Sequence, residues 1–148
     1  RSDKRKPNPI DYGFVGDVRE VNTDILADLI ARGIVPVLSP ITHDGKGNLL
    51  NTNADTIAQE AAVALAKRFD VSLIYCFEKD GVLKDENDDS SVIPLITKAD
   101  FEAYKADGTI SGGMIPKLDN AFTAISKGVK EVVITSANHI LSGGTKIK

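Results

Sequence analysis

Three short apolar runs constrain this chain more than any other feature. Ile34-Val35-Pro36-Val37-Leu38-Ser39, Val71 to Phe77 and Glu131-Val132-Val133-Ile134-Thr135 are of strand length, and a helical pattern precedes each. A strand covered on one face alternates apolar and polar residues; a near-continuous apolar run belongs to a strand buried on both faces, as in parallel sheets. Parallel neighbours need a crossover connection, usually a helix. Helix and strand alternating with short connections therefore predict an α/β fold with a largely parallel central sheet and helices on both faces.

The helices are read from apolar spacing and end signals. Asn22 or Thr23 caps a helix to about Arg32, with Ile25, Leu26, Leu29 and Ile30 on one face and Gly33 as its stop. A second helix, about Asp55 to Arg68, carries Ile57, Ala58, Ala61, Ala62, Leu65 and Ala66 at helical spacing. Its alanines predict close packing against a sheet. A third helix runs from Thr97 to Ala106, capped by Thr97 with Asp100 three residues on. The turn from Gly108 to Gly113 opens a fourth, about Met114 to Lys127, which Gly128 ends. Tyr12 to Val21 reads as a short hairpin or edge strand and His43 to Asn48 as a turn. Lys84 to Ser91 reads as an exposed acidic loop, and Ser142 to Lys148 as a glycine turn feeding a last strand. Arg1 to Asp11, basic and proline-bearing, reads as a loop or linker, which makes the chain look like part of a longer protein.

Composition then sets several function classes aside. A chain of 148 residues is sized for a single domain and a real core. A formal net charge of −3 argues against a nucleic-acid partner, which would call for a clustered basic surface. No apolar stretch approaches the roughly 20 residues needed to span a bilayer, so no membrane role is expected. One cysteine cannot form an internal disulfide, which fits a cytoplasmic location. Two histidines and one cysteine, widely spaced, argue against a dedicated zinc site, and no residue is assigned as a metal ligand. Cys76 reads as a small core residue. His43 and His139 read as solvated, neither with an evident partner.

Ligands of α/β sheets sit beyond the carboxyl ends of the strands. Three polar clusters fall there: Asn51-Thr52-Asn53-Ala54-Asp55, Glu78 to Leu83, and Ser111-Gly112-Gly113 leading to Lys117. Lys117 lies in a first helical turn, where the helix dipole disfavours a cation, and at the border of the apolar stripe. Open first-turn amides and a lysine after two glycines make a phosphate cradle. A lysine snorkelling off the rim of an ordinary amphipathic helix would look the same. Helix capping accounts for one of Asn51, Asn53 and Asp55, not for three at alternate positions. Glu78-Lys79-Asp80-Gly81-Val82-Leu83 is either a tight turn pivoting on Asp80-Gly81 or a contact to a ribose or a metal.

These segments together resemble a known family. LLNTNADTIAQEAAVAL (49–65), SGGMIPKLDNAFTAISKGVKEVVI (111–134), GIVPVLSPI (33–41) and GGTKI (143–147) are similar to the amino-acid kinase superfamily, and within it to the N-acetylglutamate kinase branch. The likeness runs from about Gly16 to Ile147. It implies an αβα sandwich and transfer of the γ-phosphoryl group of ATP to the side-chain carboxylate of an N-acylated glutamate, in arginine biosynthesis. Glutamate 5-kinase activity and a non-catalytic nucleotide-sensing module are the alternatives. By position, Lys117 would stabilise the transition state and Asp55 would hold the catalytic lysines. Asn51 would bind the acylamino acid, with Asn53 nearby. Glu78, Lys79, Asp80, Gly81, Val82, Leu83, Thr109, Ile110, Ser111, Gly113 and Met114 would line the nucleotide pocket. The cofactor implied is ATP with Mg²⁺, held mainly by the phosphates; the partners are ATP and the N-acylglutamate, in a homo-oligomer that is at least a dimer.

The chain also departs from the family pattern. Phe77-Glu78 stands where a Ser-Asp or Thr-Asp pair is usual, and Gly112 where an acidic residue is common. No strand followed by Lys-x-Gly-Gly and no Gly-Gly-Gly turn occurs among the 148 residues. Those motifs mark the family's N-terminal half, so residues 1–148 read as the C-terminal, nucleotide-binding half, a single domain.

Overall fold

A computed structural model describes residues 12–148; the linker reading of Arg1 to Asp11 lies outside the described residues. The chain divides into two compact units, one through Ala61 and one from Ala62 onward.

In the first unit, helix α1 (Thr23–Ala31) is capped as expected: the Asn22 side chain accepts from the Ile25 N–H at 3.1 Å. Strands β1 (Ile41–His43) and β2 (Leu49–Asn51) form an antiparallel hairpin. Asp44 builds its turn, accepting from the N–H groups of Lys46 and Asn48 and from the Asn48 side-chain amide. The edge strand expected within Tyr12 to Val21 is reduced to one parallel bridge, Val15 to Asn51. An added Cβ at Gly16 would meet Leu50 Cβ at 2.9 Å, which accounts for the glycine.

The run Ile34–Ser39 is not the buried strand its composition predicts. It pairs with no described strand, and Val35 and Val37 are 83% and 92% exposed. A strand exists only with a ladder partner, and Pro36 removes one donor from any ladder.

Helix α2 (Ala54–Leu65) crosses the division, with Ala61, Ala62 and Ala64 buried. The second unit holds a four-stranded sheet in the order β3-β5-β6-β4. β3 (Ser72–Phe77) runs parallel to β5 (Glu131–Ser136), in register from Ser72↔Glu131 to Phe77↔Ser136. β6 (Thr145–Ile147) pairs antiparallel with β5 and parallel with β4 (Leu95–Ile96), so two of the three pairings are parallel. α3 (Lys98–Asp107) and α4 (Met114–Ser126) pack on this sheet, α4 against β5 and β6. Leu118, Ala121 and Ala124 of α4 are fully buried, as are Val132 and Ile147. The class is therefore α/β, with a largely parallel sheet flanked by helices.

β5 matches its continuous apolar run, with Val132 to Ser136 all buried. β3 does not: Leu73 and Tyr75 are buried while Ser72, Ile74 and Cys76 are exposed. It is one of the sheet's two edge strands, and only one of its faces is covered within the unit.

The capping box of α3 is complete. Thr97 Oγ1 accepts from Asp100 N–H at 3.2 Å, and the Asp100 carboxylate accepts from Thr97 N–H and its hydroxyl at 2.9 and 2.7 Å. These bonds, the hydroxyl's first, hold the Asp100 carboxyl below its ordinary value. A lowered carboxylate stabilises the fold above its unfolded pKa and loses that contribution as pH falls through the folded value. Thr97→Ala is expected to cost about 1 kcal/mol of unfolding free energy in urea titration at pH 7. Because Thr97→Ala removes the hydroxyl's bond to the Asp100 carboxylate and keeps the backbone N–H's, the difference between variant and wild type should narrow below about pH 4.

Candidate functional site

The described residues enclose a cavity of about 740 Å³ in the second unit, at the carboxyl end of β3. Cys76, Phe77 and Ile134 line it from the sheet, Glu86 from the acidic loop, and Lys117 from the first turn of α4. Of the residues the resemblance assigned to a nucleotide, Glu78, Lys79, Gly81, Val82, Leu83, Thr109, Ile110, Ser111 and Met114 also line it. Asp80 and Gly113 do not.

The Glu78–Leu83 segment is fastened from several sides. Val82 N–H donates to Thr145 Oγ1 at 2.8 Å, and Val82 C=O accepts from Ile93 N–H. Gly81 has no room for a side chain, since a Cβ there would lie 2.7 Å from both Thr145 Oγ1 and Val92 Cγ1. Lys79 Nζ pairs with Asp89 at 2.6 Å, a hydrogen bond and charge that raise its pKa. Asp80, outside the cavity lining, is engaged elsewhere. Its carboxylate lies 2.9 Å from His139 Nδ1, which in turn lies 3.3 Å from Ser136 Oγ. The Ser136 hydroxyl first, then His139, hold the Asp80 carboxyl below the usual carboxylate range. His139 thus has partners that sequence spacing concealed, because 59 residues separate it from Asp80.

The start of α4 differs in detail from the expected cradle. Gly112 takes φ +54°, a conformation glycine adopts freely, and Gly113 is the N-cap without a side-chain bond. Met114 and Ile115 N–H donate to Ser111 and Gly112 C=O at 3.3 and 3.4 Å, and Pro116 has no N–H. The first-turn amides read as open are therefore engaged. Attraction for an anion rests on Lys117 and on a first turn that contains no acidic residue. Lys117 is half-buried and its Nζ lies 3.6 Å from the centroid of the Phe77 ring.

Cys76 is exposed and lines the cavity, contrary to its reading as a core residue. It shares the open face of an edge strand, which residue type alone does not reveal. Phe77, Glu86 and Ile134 were likewise not assigned to a cavity from sequence. The edge position of β3 places Cys76 and Phe77 there and the folding-back of the acidic loop places Glu86, while Ile134 stays buried on β5; none of these is a local signal.

Asn51, Asn53 and Asp55 belong to the first unit. Asn51 is exposed and its backbone is used in pairing, donating to Phe14 C=O and accepting from Gly16 N–H. Asn53 is the residue that caps α2, its side chain accepting from Thr56 N–H at 3.1 Å. Capping therefore accounts for Asn53. Asp55 lies in the first turn of α2, half-buried. Among the described residues, no group of three or more His, Cys, Asp or Glu could hold a metal ion, and no helix is long and apolar enough to cross a membrane.

Residues 2–136 match the sequence profile of the amino acid kinase family. The chain is 65% identical over its whole length to the acetylglutamate kinase of Bacteroides thetaiotaomicron, of which it covers 58%. It is 64% identical over 99% of its length to that of Parabacteroides distasonis, again covering 58%. Among solved structures, smu.665 of Streptococcus mutans superposes with a TM-score of 0.75 at 31% identity, over 99% of this chain and 55% of that one. The chain thus spans little more than half the length of these relatives.

Proposed function

The chain belongs to the amino acid kinase family, and from that premise we propose that it is the nucleotide-binding half of an enzyme phosphorylating the side-chain carboxylate of an N-acylated glutamate. The observation that carries the reading is the 740 Å³ cavity with Lys117 at its rim, in a chain so similar to acetylglutamate kinases. ATP would enter between the Glu78–Leu83 and Thr109–Ser111 segments. Wider elements of the reading are a place in arginine biosynthesis, a cytoplasmic location and at least a dimeric complete protein.

The acceptor chemistry is simple. A glutamate side chain, with an ordinary pKa of about 4.3, is ionised near pH 7 and needs no general base. What remains is in-line alignment and neutralisation of charge on the transferred group. Lys117 would supply positive charge from the nucleotide side. Asp55 would orient cationic groups by accepting their hydrogen bonds. Asn51, with Asn53 nearby, would hold the acylamino acid. Magnesium would neutralise phosphate charge while bound mainly by the phosphates, which suits a cavity whose carboxylates, Glu78 and Glu86, form no cage.

The test compares residues 1–148 alone with the corresponding full-length protein. The 148-residue chain should bind Mg·ATP weakly and show no turnover on N-acetylglutamate, because the Lys-x-Gly-Gly and Gly-Gly-Gly motifs are not in it. Turnover by this piece would overturn its assignment as one half. No phosphorylation of N-acetylglutamate by the full-length protein would overturn the substrate class and turn attention to glutamate itself or to a sensing role.

A further inference from the structure

Lys117 and Phe77 make a contact that the phosphoryl-transfer reading does not use. The Nζ–centroid distance of 3.6 Å is well inside the roughly 6 Å range in which a cation is attracted by a ring face. The two side chains come from elements that converge only in the fold, the last residue of β3 and the first turn of α4, and both line the cavity. Phe77 is held in turn by its neighbour on the same face, Tyr75, with ring centroids 6.2 Å apart and planes 29° apart. The ring is therefore supported, half-buried and turned to the ammonium.

We propose that Phe77 is a positioning residue which parks the Lys117 ammonium on its ring when no phosphate is present, so that an incoming nucleotide must draw the lysine away. The proposal rests on the nucleotide reading above and adds to it a determinant of nucleotide affinity. An ammonium meeting an anionic phosphate gains a charge-assisted contact stronger than the ring's quadrupole offers. The lysine therefore exchanges partners on binding. Phe77 raises the dissociation constant by stabilising the empty state, because only the difference between the two states enters the affinity.

Two measurements on the full-length protein test this, with Mg·ADP as the probe. In NMR, the side-chain ε-methylene of Lys117 should show an upfield ring-current shift in nucleotide-free protein. That shift should disappear in Phe77→Leu, persist in Phe77→Tyr and disappear at saturating Mg·ADP. In calorimetry, Phe77→Leu should tighten Mg·ADP about two- to fivefold, the size of an exposed cation–π contact. Phe77→Tyr should leave the affinity near wild type, and Phe77→Leu should change nothing in a Lys117→Met background. An absent ring-current shift in the empty protein would overturn the proposal even if Phe77→Leu fails to fold. So would a shift that survives saturation, or an equal effect of Phe77→Leu in both backgrounds. Failure of the wild type to bind Mg·ADP would instead show the nucleotide reading itself to be wrong, and the proposal would fall with it.

Discussion

Lys117→Ala in the full-length enzyme is expected to lower kcat by about 10²-fold or more while changing KM for ATP far less. The expected size is that of losing one preorganised charged contact to a transition state. A loss concentrated in kcat marks an interaction stronger in the transition state than in the ground state. The position supports it: Lys117 stands half-buried at a cavity rim, in a helical turn without a compensating carboxylate. The other lysine known to line that cavity, Lys79, is ion-paired with Asp89 and less able to substitute. Steady-state kinetics with ATP varied at saturating N-acetylglutamate reads the split. Unchanged kcat would reduce Lys117 to a lysine that lines the cavity and rests on Phe77.

Asp55→Asn is expected to bring a comparably large fall in kcat without removing a titrating limb from the pH profile. The substitution keeps shape and part of the hydrogen bonding but removes the charge that would orient cationic groups. A general base would leave a different mark, the loss of an acidic or basic limb as its proton acceptor disappears. The measurement is kcat from about pH 6 to 9 for both proteins. Unfolding in urea separates catalysis from helix stability, because a first-turn carboxylate also favours the helix N-terminus. The cap itself is supplied by Asn53, so a modest stability change is expected. Near-full activity, or a lost limb, would remove the orienting role.

How much of this was legible in the sequence differs by element. The α3 capping box, the Asn22 cap, the Asp44 turn and the doubly buried β5 are governed by residues within a few positions of one another. Periodicity and end signals carry that information locally, so reading residue types in order recovers it. The polar clusters around Asn51–Asp55, Glu78–Leu83 and Ser111–Lys117 were visible for the same reason. Which of them meet was not.

The α/β class, the order of its helices and the segments rich in ligand-capable groups follow from residue order, because 3.6-residue and 2-residue periods are written in neighbouring side chains. Long-range packing is what makes β6 return antiparallel beside β5, makes β3 an edge with Cys76 on its open face, and leaves Ile34–Ser39 paired with no described strand. It alone set His139 against Asp80 and Lys117 over Phe77, pairs 59 and 40 residues apart in the chain. The physical reason is that strand order and side-chain contact between distant segments depend on which surfaces bury each other. A run of apolar residues states that it will be covered without stating by what, and the backbone groups of a strand are satisfied by whichever neighbour the whole fold brings alongside.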